Sequence, residues 1–270
     1  MKYKMYTKSH SERLLKEIGN ENGIFTASEH AYIIEREFGN HFESRELLLR
    51  HYLSTNAEKL SALAFLIKYA NDKRFVNIIS LGAGACVLEY LLKYALPEGS
   101  TIVATDFDTF FIEKARLLFP SIIAEEFDFF RDDLVELRNR LRIDFDLAVF
   151  LNSSYVMDNV QFVKLFQGLA RIGVKQIVDF QGSFVTYVDA LKAILVRRAL
   201  DIDSRVEKLL KKIGVSEGGY KGKFHGYART RGELRSLYKK AGLNVVKEIR
   251  IEPWKYIAIC EKEFSQCNPR

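Results

Sequence analysis

The residues best placed for chemistry begin at Gly82-Ala83-Gly84-Ala85, where no side chain is larger than a methyl. They follow an apolar, β-branched run at 76–81 and precede Leu88, Leu91, Leu92 and Tyr94 at helical spacing. A strand that turns into a helix through such residues lets a ligand approach its backbone. It also points the N–H groups of the helix start at that ligand, which outlines a cradle for a nucleotide or a carboxylate. Asp106 lies 22 residues beyond Gly84. An acid about 20 residues past a glycine turn, at the carboxyl end of the next strand, is placed to accept from both hydroxyls of a ribose. Asp128 and Phe129 close a third strand, where a carboxylate can accept from an exocyclic amine and a ring can stack on a base. Asp132 and Asp133 offer the same chemistry nearby or cap the next helix.

Two further groups suit a second substrate. Asn152-Ser153-Ser154-Tyr155 follows a fourth strand, where an acceptor would approach. His225, in Phe224-His225-Gly226-Tyr227, is the histidine whose pKa near neutrality suits a general base. The other histidines, His10, His30, His41 and His51, fall in the first 51 residues, and no spacing among them indicates a metal.

These residues need elements to hold them. Residues 1–74 read as a helical N-terminal cap, with amphipathic runs at 9–18, 31–38, 44–53 and 57–70 and no strand signal. From residue 75 strands and helices alternate. Strands are expected at 76–81, 101–105, 122–127, 145–151 and 175–180, and helices at 85–95, 109–118, 133–141 and 160–170. That alternation predicts a doubly wound, mostly parallel sheet. Residues 184–228 read as a helical insert that ends in a strand at 224–228. Thr230, with Glu233 three residues later, predicts a capping box for a helix that Gly242 stops. Runs at 244–251 and 254–261 complete seven strands as an antiparallel pair. The expected α/β domain spans 75–265.

Composition narrows the class. The chain has 270 residues with 48% hydrophobic and 28% charged, ordinary for a globular core. A formal charge of +6 permits an anionic partner without requiring one. Fifteen Lys/Arg against six Asp/Glu give the stretch 197–250 a net charge of +9. Either a phosphate-binding face or the solvated sides of amphipathic helices would account for it, and the second is favoured. Cys86, Cys260 and Cys267 show no metal or disulfide spacing. No stretch has the length of a membrane span and no signal segment opens the chain, so a cytoplasmic protein is expected.

Leu81-Gly82-Ala83-Gly84, the acid Asp106 ending strand two, the acid after strand three and Phe145-Asp146-Leu147-Ala148-Val149 together resemble the class I S-adenosylmethionine-dependent methyltransferases. Arg229-Thr230-Arg231-Gly232-Glu233-Leu234 and Ala241-Gly242-Leu243-Asn244-Val245 are similar to that family's late helix and strand. The likeness covers about 75–262 and implies a Rossmann-like domain with S-adenosylmethionine as cofactor. It would place Gly82 and Gly84 beside the methionine part, Asp106 at the ribose and Asp128 with Phe129 at the adenine, with Ser80, Ala83, Phe107 and Asn152 as further cofactor-binding candidates. The family has an acid where this chain has Ser80, which offers no charge to the methionine ammonium, and a glycine where it has Cys86. A nicotinamide fingerprint would need glycine at Val87. Asn152–Tyr155 has the outline of an Asn-Pro-Pro-Tyr tetrad with both prolines replaced by serine, and is closer to the acceptor loop of small-molecule methyltransferases. The expectation is therefore in-line methyl transfer to an oxygen or nitrogen of a small molecule, with Tyr155 and His225 as candidate catalytic residues. Methylation of RNA or protein through the basic late region, and cofactor binding without catalysis, are the alternatives.

Overall fold

The computed structural model describes residues 3–6, 39–55, 57–181, 224–251 and 254–263. After a 3-10 turn at Gly39–Glu43 come helices α1 (Arg45–Thr55) and α2 (Ala57–Lys73). The alternating part runs β2 (Asn77–Leu81), α3 (Val87–Ala95), β3 (Thr101–Asp106), α4 (Thr109–Leu118), β4 (Ile123–Glu126), α5 (Leu134–Leu141), β5 (Leu147–Leu151), α6 (Asn159–Arg171) and β6 (Gln176–Phe180). The remaining elements are β7 (Phe224–Ala228), α7 (Arg231–Lys240), β8 (Leu243–Ile251) and β9 (Trp254–Lys262). Seven strands form one sheet in the order β4-β3-β2-β5-β6-β9-β8. β4, β3, β2, β5 and β6 are parallel, and β9 runs antiparallel to both β6 and β8. The expected doubly wound, seven-stranded sheet is what the chain forms.

Side-chain alternation explains why the sheet is covered on both faces. On β2, Ile78 packs with Leu66, Leu88 and Ile102 on one side, beside α2 and α3. Its neighbours Ile79 and Leu81 pack with Phe150, Phe162, Phe166 and Tyr238 on the other, against α6 and α7. Strand order reverses between β2 and β5, which are neighbours, so the turns after these two strands flank a crevice at the carboxyl edge of the sheet. Asp146 locks the opposite edge: its carboxylate accepts from Val76 N, Asn77 N and Lys175 Nζ, joining the starts of three strands. Burial alone would raise its pKa, but those three donors outweigh burial and hold it below the usual range.

The predicted caps form. Thr230 Oγ1 accepts from Glu233 N while Glu233 accepts from Thr230 N, and Gly242 ends α7 at φ +74°. Asp133 caps α5 rather than belonging to it. One expectation is corrected. The N-terminal region is not wholly helical, because β1 (Tyr3–Tyr6) pairs antiparallel with β7 in a second, two-stranded sheet. Four residues carry little periodicity of their own, and this strand exists through a partner more than 200 residues away. The runs at 9–18 and 31–38 and the helical part of the insert lie outside the described residues.

Glu248 on β8 gathers Arg231, Arg235 and Tyr256 on one carboxylate. Burial pulls its pKa up, but the three donors overcome this and bring it to about 2. A folded value below the unfolded one means stabilisation that is complete above the ordinary carboxylate pKa and fades as pH falls toward 2. Both arginines are more than half exposed, 55% and 53%, so solvent screening reduces its size. Glu248→Gln is therefore expected to cost about 1–2 kcal/mol at pH 7 and progressively less in acid. Urea unfolding of both proteins at pH 7, 5 and 3 checks this, and a difference that does not shrink with acidity would contradict it.

Candidate functional site

The turn after β2 is tied to β3. Gly82 N and Ala83 N both donate to Thr105 O at 2.8 Å, and Gly84 N donates to Asp106 Oδ2 at 2.8 Å. Gly82 and Gly84 hold φ of +73° and +58°, the left-handed region that glycine enters without strain. Gly82 is glycine for a second reason. A Cβ there would lie 2.5 Å from Ser153 Cβ and 3.2 Å from Phe129 Cζ, so the loops after β4 and β5 close directly onto it. A Cβ on Gly84 meets nothing within 4 Å. The turn is thus walled at Gly82 and open above Gly84. Cys86, at the position of the family's third glycine, has φ 56°, so the backbone there keeps the shape that favours glycine. Its Sγ donates to Gly84 O. Buried Cys86 and Cys260 are free thiols raised by burial, suited to packing rather than nucleophilic chemistry.

Asp106 ends β3 and is only 6% exposed. Its Oδ1 accepts from Asp108 N while its Oδ2 holds Gly84 N, so one carboxylate fixes both the glycine turn and the start of α4. Phe107 beside it is exposed at the crevice edge. Asp128 forms an Asx turn, accepting from Phe130 N, while Asp132 accepts from Asp128 N. The ambiguity between these two acids thus resolves into a division of labour within one turn. Phe129 is the residue that reaches inward, contacting Phe127 and Phe150 and abutting Gly82.

Across the crevice, Asn152 stands at φ 57°, its N–H donating to Phe180 O and its Oδ1 buried without a partner among the described residues. Ser153 Oγ donates to Leu81 O, fastening this loop to the end of β2. Ser154 Oγ donates to Asp179 Oδ1 at 2.8 Å. Asp179, on β6, also accepts from Gln181 Nε2 and Tyr238 OH, both at 2.6 Å. Burial raises its pKa against the pull of those donors and of Arg229. Arg229 is 3% exposed, lies over the rings of Phe162 and Tyr227 and donates to Met157 O. Burial pushes the Tyr155 phenol up to about 12, so at neutral pH it keeps its proton and can donate but not act as a base. The structure places His225 on β7 but describes nothing of its side chain. His41 stacks on His51 at 4.0 Å in the N-terminal part, and no cluster of three or more metal-ligating side chains exists among the described residues.

The structure therefore brings Ser80, Gly82, Ala83, Gly84, Asp106, Phe107, Phe129 and Asn152 to one edge, with Asp128 holding the turn that carries Phe129. It also adds Glu89, which sequence reasoning passed over. Glu89 sits in the first turn of α3, 3% exposed, and accepts from Ser80 Oγ at 2.6 Å. The signal was there: an acid seven residues after Gly82 on a turn that must face back toward β2.

No protein-family model and no curated protein matches the sequence. Solved structures do. The fold is similar to human N-acetylserotonin methyltransferase in complex with S-adenosylmethionine (18% identity, TM-score 0.54, covering 94% of this chain and 65% of that one). It is similar too to the S-adenosylmethionine-dependent methyltransferase SibL (17%, 0.55, 94% and 69%) and to the mitomycin 7-O-methyltransferase MmcR (16%, 0.51, 93% and 66%). The chain thus has the Rossmann-like fold of the class I methyltransferases and spans about two thirds of the length of these enzymes.

The two glycines separate local strain from crowding. Gly84→Ala should cost roughly 1–2 kcal/mol, the left-handed penalty alone. Gly82→Ala adds the clash with Ser153 and should cost about 1–3 kcal/mol more. Urea midpoints for the two variants test the order; equal losses would contradict the packing of Ser153 on Gly82.

Proposed function

We propose that the chain is a methyltransferase that binds S-adenosylmethionine across the turn Gly82–Gly84 and methylates an oxygen or nitrogen of a small molecule. The observation that carries this is the convergence of a left-handed glycine turn, a buried acid at the end of β3 and an aromatic after β4 on the crevice where strand order reverses. The residues fit the group: the turn is open above Gly84, and buried acceptor atoms at Asn152 and Glu89 lack protein partners among the described residues.

When bound, the cofactor supplies a methyl group on an activated sulfonium. The work left to the protein is alignment and exclusion of water. Asp106, held by Gly84 N and Asp108 N at the end of β3, is the acid placed to meet ribose hydroxyls. Phe107 and Phe129 offer ring faces for a base. Asn152 Oδ1 is an acceptor on the far side of the crevice. Tyr155 can donate to the acceptor atom, and His225 remains the candidate for removing a proton from a hydroxyl. The name of the mitomycin 7-O-methyltransferase neighbour favours oxygen over nitrogen. In the late basic stretch, Arg231 and Arg235 are engaged by Glu248, which reduces the charge left for nucleic acid and favours the small-molecule reading.

Calorimetry with S-adenosylmethionine and S-adenosylhomocysteine tests the proposal. One-to-one binding is expected for both, weakened about tenfold or more by Asp106→Ala. Absence of binding to either by the unaltered protein would overturn it.

A further inference from the structure

Ser80 leaves the turn without the acid that the resemblance implies two residues before the first glycine. On β2, Ser80 faces α2 and α3, the side shared with Ile78. Its hydroxyl donates to Glu89 Oε1 at 2.6 Å, so the Glu89 carboxylate lies about where an acid at position 80 would put its own. Glu89 Oε2 is buried and has no partner among the described residues. A buried carboxylate oxygen left unpaired is costly, and water is a poor remedy here. The void that Ser80 and Glu89 line is about 10 Å³ and is otherwise walled by leucine, isoleucine and valine, too small and apolar to hydrate a charge.

A cation stands close by without pairing. Lys59, near the start of α2, lies 5.2 Å over the Tyr52 ring and makes no ion pair within 4 Å among the described residues. Glu89, Glu58 and Asp106 all favour its charged form, so Lys59 lies within electrostatic reach of both the acid under the turn and the acid at the end of β3. Burial works against its charge, as it works against that of Glu89. Two opposite charges, each desolvated and separate from the other, complement a ligand that carries an ammonium and a carboxylate on one carbon.

We propose that Glu89 and Lys59 form the subsite for the amino-acid end of the cofactor, Glu89 receiving the α-ammonium and Lys59 the α-carboxylate, so that the acid missing from β2 is supplied from α3. This rests on the reading of the crevice as an S-adenosylmethionine site. Ser80 is the positioning residue that holds Glu89 in place. The amide of Glu89→Gln keeps an acceptor for Ser80 and removes only the charge.

The test compares two ligands by calorimetry on the full chain. S-adenosylhomocysteine carries the amino-acid end; 5′-methylthioadenosine shares its nucleoside and thioether but lacks that end. Glu89→Gln and Lys59→Met should each weaken S-adenosylhomocysteine about tenfold or more and leave methylthioadenosine within about twofold. Ser80→Asp in the Glu89→Gln background should restore much of the loss by returning a carboxylate to β2. The unliganded melting temperature of each variant reports its folding, and the Lys59 variant carries the comparison should the Glu89 variant fail to fold. Equal weakening of both ligands, or unchanged binding of S-adenosylhomocysteine, would overturn the proposal. Binding of methylthioadenosine but not S-adenosylhomocysteine by the unaltered protein would overturn it while leaving the nucleoside site intact. Binding of neither would overturn the cofactor reading itself.

Discussion

The site depends on one constraint: the turn after β2 gives its first three N–H groups to the neighbouring strand. Thr105 O takes the N–H groups of Gly82 and Ala83, and Asp106 takes that of Gly84. Since β2 and β3 are paired in register up to Leu81 and Thr105, the sheet fixes where the turn starts and β3 fixes how it bends. This forces positive φ at Gly82 and Gly84 and carries the left-handed form on to Cys86. It also gives Asp106 a structural role beside the proposed one, because the carboxylate proposed to meet a ribose also holds the turn.

Around that anchor the other parts are fastened by single, specific bonds. Ser153 binds Leu81 O and packs on Gly82, so the acceptor-side loop cannot shift without disturbing the end of β2. Asp179 collects Ser154, Gln181 and Tyr238 and thereby ties the loop after β5, the chain leaving β6 and helix α7 to one buried carboxylate. Such a network rigidifies what it joins, and Ser154, Gln181 and Tyr238 each donate to the same carboxylate.

Much of this could be read from the chain because its signals are local. The glycine turn, the spacing to Asp106, the capping box at Thr230 and the strand–helix alternation each need only a short window of sequence. What escaped reading was non-local. β1 exists through pairing with β7, and four residues at 3–6 carry no pattern that names that partner. In sequence, Glu89 is one acid in a helical first turn, a position that normally suits the helix dipole. Only folding α3 back on β2 turns it inward to Ser80. Asp128 and Asp132 were indistinguishable as a string of acids; their roles separate through which backbone N–H each one reaches.

The clamp at Asp179 has a wider consequence. Gln181, the residue before the segment 182–223, is held by Asp179, and Arg229, the residue after β7, lies within electrostatic reach of the same acid. The chain on either side of that segment is therefore brought to one buried carboxylate. Closing a longer loop between fixed points adds only about 0.6 kcal/mol for each doubling of length. Such an architecture lets descendants of this chain lengthen, shorten or rewrite the intervening stretch while the turn at Gly82–Gly84 and its acid stay as they are. Change at that one address in the sequence would leave the hydrogen bonds that hold the turn untouched.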